Sequence, residues 1–209
     1  MDDCDTCGTK AAEKADSPAY VRALWLVVIM NAVMFVLGVF IAATGGSASV
    51  RSDLLDFLGD AVATGIGLLL VGRSKALRAN ASFWQGVALG GLGLFALGSA
   101  VVKSLGGIAP EPLGMGLYGV LGLAVNMGAA LLLLKHRKGD ASVRAVWLYS
   151  RNDAIGNVAV LIAAGLVAAT ASRWPDVIVG FGIAALFLQS AVSIIRDARR
   201  EMPRIDGHL

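Results

Sequence analysis

The sequence predicts an all-α integral membrane protein of six transmembrane helices with both termini cytoplasmic. Of its 209 residues 56% are hydrophobic and only 16% charged, with a mean hydropathy of +0.71; soluble domains typically run at ~45–50% apolar and ~25% charged. The charged residues crowd into short stretches between apolar runs, and those runs reach the ~20 residues that a bilayer core requires. Gly is frequent (26) and Pro scarce (5), which suits helices that pack closely in lipid.

Taken in order, a polar tail over 1–19 comes first. It carries five acids, Asp2, Asp3, Asp5, Glu13 and Asp16. A secretory signal would have a basic flank and an apolar core of only ~7–15 residues, so the run after the tail is expected to stay as a membrane helix. The six apolar stretches span 20–44, 49–72, 83–105, 113–136, 144–171 and 175–198, making a membrane domain over 20–200 and a short tail over 201–209. The separators are turn formers or charges: Gly45-Gly46-Ser47, Arg73-Ser74-Lys75, Gly106-Gly107 with Pro110, Lys138-Gly139-Asp140 and Ser172-Arg173-Trp174-Pro175. Such short connections make consecutive helices antiparallel and adjacent.

Lys and Arg set the orientation. Lys10, Lys14 and Arg22, then Arg73, Lys75 and Arg78, then Lys135, Arg137, Lys138 and Arg144, then Arg196, Arg199, Arg200 and Arg204 all fall on one side. The other side has Arg51, Lys103 and Arg173. A multi-pass protein of a bacterial-type inner membrane with cytoplasmic termini is expected. Trp25, Trp84, Trp147 and Trp174 lie near helix ends and read as interface anchors. The net charge is +3 and no basic stretch is interleaved with aromatics, so the expected surroundings are lipid and not nucleic acid.

The second helix reads Ser52-Asp53-Leu54-Leu55-Asp56-Phe57-Leu58-Gly59-Asp60. Asp53, Asp56 and Asp60 stand at i, i+3 and i+7, within one narrow helical face. An ionised carboxylate deep in a membrane helix costs ~2.5–3.5 kcal/mol on the lenient insertion scale, so the three must meet a cavity, a partner or a cation. The fifth helix carries Tyr149, Arg151, Asn152, Asp153 and Asn157, with Tyr149, Asp153 and Asn157 on one face. At ~1.5 Å per residue Asp60 lies ~16 Å from its end and Asp153 ~14 Å from the opposite end, both near the midplane of a ~30 Å core. Antiparallel helices can thus bring Asp56, Asp60 and Asp153 together. Carboxylates so placed need a counter-charge. A divalent cation supplies it, and protons or Arg151 supply it when the cation leaves. A faint echo between Gly59-Asp60-Ala61-Val62 and Asn152-Asp153-Ala154-Ile155 would suit an inverted repeat.

At these residues the chain resembles the cation diffusion facilitator family. The Asp53, Asp56 and Asp60 spacing matches the family's second helix. Tyr149-x-x-x-Asp153 matches its fifth, except that the family has His where Tyr149 stands. Asn31 and Asn126 fall where many members have asparagine. The resemblance implies six helices with cytoplasmic termini, export of zinc or similar ions against protons, and frequent dimers. It implies metal ligation by Asp56, Asp60 and Asp153; Asp53 reads as an outer or entry carboxylate, Tyr149 as a ligand, a support or packing, and Asn152 and Asn157 as oxygens that could complete the set. Loss of the histidine leaves an oxygen-rich site. That leans towards Mn, Fe(II) or Co, while carboxylates also bind zinc; Zn and Cd stay first. Members usually continue into a cytoplasmic domain, and this chain, ending at Leu209, is expected to be a short member without it, dimerising through membrane helices. Gly86, Gly90, Gly91 and Gly93 allow close packing between protomers or within one.

The remaining polar residues have two readings each. Cys4 and Cys7 are half of a zinc pattern, hence a docking arm for a metal or a plain polar tail. Asn31 and Asn126 are interhelical hydrogen bonders or line a pathway, and Arg151 partners an acid or gates. His136, between Lys135 and Arg137, reads as a surface residue. The metal is expected as cargo, with no obligatory cofactor. No His-Glu-x-x-His and no Ser/His pair appears, so an enzyme is not expected. An uncoupled facilitator and a membrane-embedded metal sensor or accessory subunit are the alternatives to an antiporter.

Overall fold

The structure, a computed structural model, describes residues 17–43, 48–105 and 117–202, without the side chains of 42, 48–53, 55 and 117–119. Six helices follow in order: α1 (Pro18–Ala43), α2 (Ala48–Leu69), α3 (Lys75–Ser104), α4 (Leu117–Leu134), α5 (Ala141–Thr170) and α6 (Trp174–Glu201). Among the described residues there is no strand. Helices α1, α3, α5 and α6 are long and apolar enough to cross a membrane, and α4 has a shorter apolar stretch, Val120–Leu134.

Two helices start earlier than hydropathy predicts. Helix α3 begins at Lys75 and not at 83, because Ser74 caps it, its hydroxyl accepting from the Leu77 N–H at 3.4 Å. Helix α5 begins at Ala141, capped by Asp140, which accepts from the Val143 N–H at 3.1 Å. A side-chain acceptor satisfies one of the orphan N–H groups of a first turn. The polar residues of these turns read as loop in the sequence, yet Arg78 and Asp140 are buried.

The buried core is narrow, as expected where lipid covers the outside. Phe40, Phe95 and Leu105 are 68, 76 and 83% exposed. Inside, Tyr20, Leu24 and Val27 of α1 pack with Leu133 of α4 and Val143 and Val146 of α5. Leu89 of α3, Leu148 of α5 and Ile194 of α6 form a second cluster. Helix α5 joins both. Trp25, Trp84 and Trp174 are exposed, while Trp147 is half-buried.

Consecutive helices are not all neighbours. Helix α3 packs chiefly on α6 and not on α2 or α4, whereas α1–α2, α4–α5 and α5–α6 are adjacent. The reason is the glycine face of α3. A Cβ at Gly86 would stand 2.8 Å from Ile195 Cγ1, and one at Gly93 would stand 2.9 Å from Leu188 Cγ and 3.1 Å from its main-chain nitrogen. Gly90 faces Ala191. These glycines therefore serve packing within one chain, while a Cβ at Gly91 would meet nothing within 4 Å. Lys103 and Asp176, 2.7 Å apart, pin the far end of the α3–α6 pair. Gly93→Val is expected to lower stability by ~1–3 kcal/mol through overpacking, read as a lower thermal midpoint in detergent. Gly91→Ala is expected not to lower it.

The end that holds the described termini is tied by polar contacts. Arg78 pairs with Asp140, and its Nε donates to Ser142 Oγ at 3.2 Å. Ser142 donates in turn to Asp140 Oδ1 at 2.8 Å. Glu201 accepts from the Ala141 N–H at 2.9 Å, and Arg144 pairs with Asp197 at 2.8 Å. His136, expected at the surface, is buried, its ring 5.2 Å from that of Tyr20. The chain folds it inward because the first turn of α1 covers the end of α4.

Candidate metal centre

Helices α2 and α5 are in contact, and they run antiparallel. Asp60 and Asp153 meet between them, their carboxyls within hydrogen-bonding reach of each other. Asp56 lies close enough to act electrostatically on Asp153. Exposure falls along this face: Asp56 is exposed, Asp60 and Asp153 are half-buried, and Asp153 Oδ2 is buried without a hydrogen-bond partner. Two carboxylates this close cannot both carry full charge unless a proton or a cation lies between them.

Residues 24–202 match the family model described as the cation efflux transmembrane domain. The chain belongs to the cation efflux family. It is a membrane protein of a transporter family that moves metal cations, and the family is not an enzymatic one. No curated protein matches the chain.

In this cation efflux chain the other candidates divide by helical angle. At ~100° per residue, Arg151 and Asp153 point ~200° apart. Asp153 therefore faces α2 and Arg151 faces α6. Arg151 finds no carboxylate among the described residues. Its Nη2 donates to Asn152 Oδ1 at 2.8 Å and to Ser190 Oγ at 2.9 Å, and it lies over the Trp147 ring at 5.2 Å. Asn152 is fully buried, and its Oδ1 also accepts from Ser190 at 3.2 Å. Both residues thus bind α5 to α6, away from the carboxylate pair.

Tyr149 stays on the side of the pair. Its hydroxyl donates to the main-chain carbonyl of Gln85 at 2.6 Å, and its ring packs against the core between α3, α5 and α6. Asn157 is half-buried. Asn31 and Asn126 are buried; Asn31 Nδ2 donates to the Val27 carbonyl at 3.0 Å within its own helix, and the Oδ1 of each residue has no partner. Asp53 lies in α2, but its side chain falls outside the described residues, as do Cys4 and Cys7.

Among the described residues no three His, Cys, Asp or Glu side chains converge into a group that could hold a metal ion. Two acids come together, and the third is near without closing on them. The residue that sequence reasoning missed is Gln85 of α3. It is buried, and its Nε2 donates to the Ala63 carbonyl of α2 at 3.0 Å. The signal was there: a lone amide between Trp84 and Gly86 in an otherwise apolar run. Gln85 joins α2, α3 and α5 about one turn from the acid pair.

Proposed function

We propose that this chain exports a divalent transition metal, Zn or Cd in the first place, by metal/proton antiport with alternating access. Asp60 and Asp153 bind the ion from two helices, and Asp56 joins them or receives the ion first. The transport domain spans 20–200, the termini lie in the cytoplasm, and the working unit is a homodimer held by membrane helices. The observation that carries this reading is the meeting of Asp60 with Asp153 between antiparallel helices in a cation efflux chain. The exposure gradient supports a route: Asp56, one turn nearer the end opposite the described termini, is exposed, and Gln85 and Tyr149 stand about one turn from the pair on the other side.

Binding a metal at paired carboxyls releases the proton they share. Metal affinity is therefore expected to rise with pH, by about tenfold per pH unit for each proton displaced. The test is flux of Zn, Cd, Mn, Fe(II) and Co into proteoliposomes under an imposed pH gradient. Saturable flux with protons moving the opposite way supports antiport. Flux that ignores the pH gradient supports a facilitator, and binding with no flux a sensor.

A further inference from the structure

Two carboxyls alone leave a cation short of ligands, and the structure holds a buried oxygen about one turn from them that nothing satisfies. Gln85 is 6% exposed, and its Oε1 is buried without a hydrogen-bond partner. The orientation of the amide is not arbitrary. Its Nε2 donates to the Ala63 carbonyl at 3.0 Å; turning the amide over would set two acceptors against each other. The oxygen is thereby the atom left facing away from that carbonyl.

Its place follows from its two contacts. Ala63 stands three residues beyond Asp60, on the same face of α2 and ~4.5 Å along the axis. Tyr149, whose hydroxyl donates to the Gln85 carbonyl at 2.6 Å, stands four residues before Asp153, on the same face of α5 and ~6 Å along it. Gln85 is thus held from both helices about one turn from both carboxyls. Gln85 Oε1 and Asp153 Oδ2 are both unsatisfied acceptors. A buried acceptor without a donor calls for an explanation, and two acceptors beside a carboxyl are what a hard or borderline cation requires. Asn31 and Asn126 also carry unpartnered oxygens, but no hydrogen bond ties either to α2 or α5 beside the acids.

We propose that Gln85, through Oε1, is the third protein ligand of the cargo ion beside Asp60 and Asp153, and that it sets the site's selectivity. This rests on the reading of the acid pair as the transport site. Tyr149 then contributes by holding α3 in position, and the oxygen it does not supply comes from the neighbouring helix. An all-oxygen set of two carboxylates and one amide gives an oxygen-preferring ion such as Mn(II) a stronger hold, relative to Zn(II), than a set containing imidazole.

The test is titration of purified wild-type protein and of Gln85→Leu, Gln85→Glu, Gln85→His, Asp60→Ala and Asp153→Ala with Mn(II), Zn(II) and Cd(II) chlorides. Thermal midpoints are recorded alongside. Gln85→Leu is expected to weaken Mn(II) binding by about tenfold or more, Gln85→Glu to retain it, and Gln85→His to shift the Zn-to-Mn affinity ratio at least about tenfold towards Zn. The ratio is the deciding readout, since a loss of packing alone would weaken both metals together. If Gln85→His leaves the ratio at the wild-type value while Asp60→Ala and Asp153→Ala abolish binding, Gln85 is no ligand and the acid pair stands. If the two alanine variants bind every metal as wild type does, the acid-pair reading falls and takes the Gln85 proposal with it.

Discussion

Asp60→Ala and Asp153→Ala are each expected to cut metal flux by at least about a hundredfold without unfolding the protein. Residues that only support a metal ligand already cost ~10–100-fold when removed, and these two are the proposed ligands. The stability half of the prediction separates it from misfolding. The two carboxyls face each other within hydrogen-bonding reach, and like charges at that range oppose each other. Replacing one by an uncharged side chain removes the repulsion. Asp60→Asn and Asp153→Asn keep the shape and lose the charge, so their thermal midpoints in detergent are expected at or above wild type while flux is lost. Full flux in either alanine variant, at wild-type expression, would show that the ion travels elsewhere.

Asp60 and Asp153 were legible in the sequence because the cost of a buried charge is large and the geometry of a helix is regular. Only a reason can keep an acid in an apolar run, and a fixed rise per residue gives its depth. The six helices were legible for the same cause, since lipid imposes one length and one composition. What was not legible depends on partners. Hydropathy marks residues that face lipid, so the first turns of α3, where Arg78 is buried against Asp140, looked like a loop. The choice of α6 as neighbour for α3 hangs on Gly86 and Gly93 fitting the backbone and side chains of Ile195 and Leu188, a match across about a hundred residues that no local period reveals. Arg151 read as a partner for an acid because it is two residues from one. Two residues on a helix is nearly the opposite face, and the guanidinium settles on Asn152, Ser190 and Trp147. His136, flanked by Lys135 and Arg137, read as exposed, and it is the docking of Tyr20 upon it that buries it.

Arg78→Met is expected to destabilise the protein by ~3–5 kcal/mol, the cost of removing one partner of a buried ion pair and leaving the other charge behind. Arg78 is 3% exposed and Asp140 5%. Asp140 cannot simply turn to water, because its Oδ1 accepts from the Val143 N–H and from Ser142 and so starts α5. The companion substitution follows from that double duty. Asp140→Asn retains an oxygen for the cap while deleting the charge opposite Arg78. Combined with Arg78→Met it removes both charges of this pair, so the double variant is expected to be more stable than either single one. A double-mutant cycle on thermal midpoints measures the coupling directly. The consequence for transport follows from where the pair sits. It ties the start of α3 to the start of α5, and α3 reaches the acid pair two turns later through Gln85, from Ala63 on one side and Tyr149 on the other. Loosening Arg78 frees the helix that packs beside the acid pair on the side of the described termini. Under the proposed antiport, flux in Arg78→Met is therefore expected to lose its coupling to protons before it loses its rate, because a site open to both sides leaks. A variant that is destabilised by this much yet keeps tight coupling would show that α3 is held shut by α6 alone.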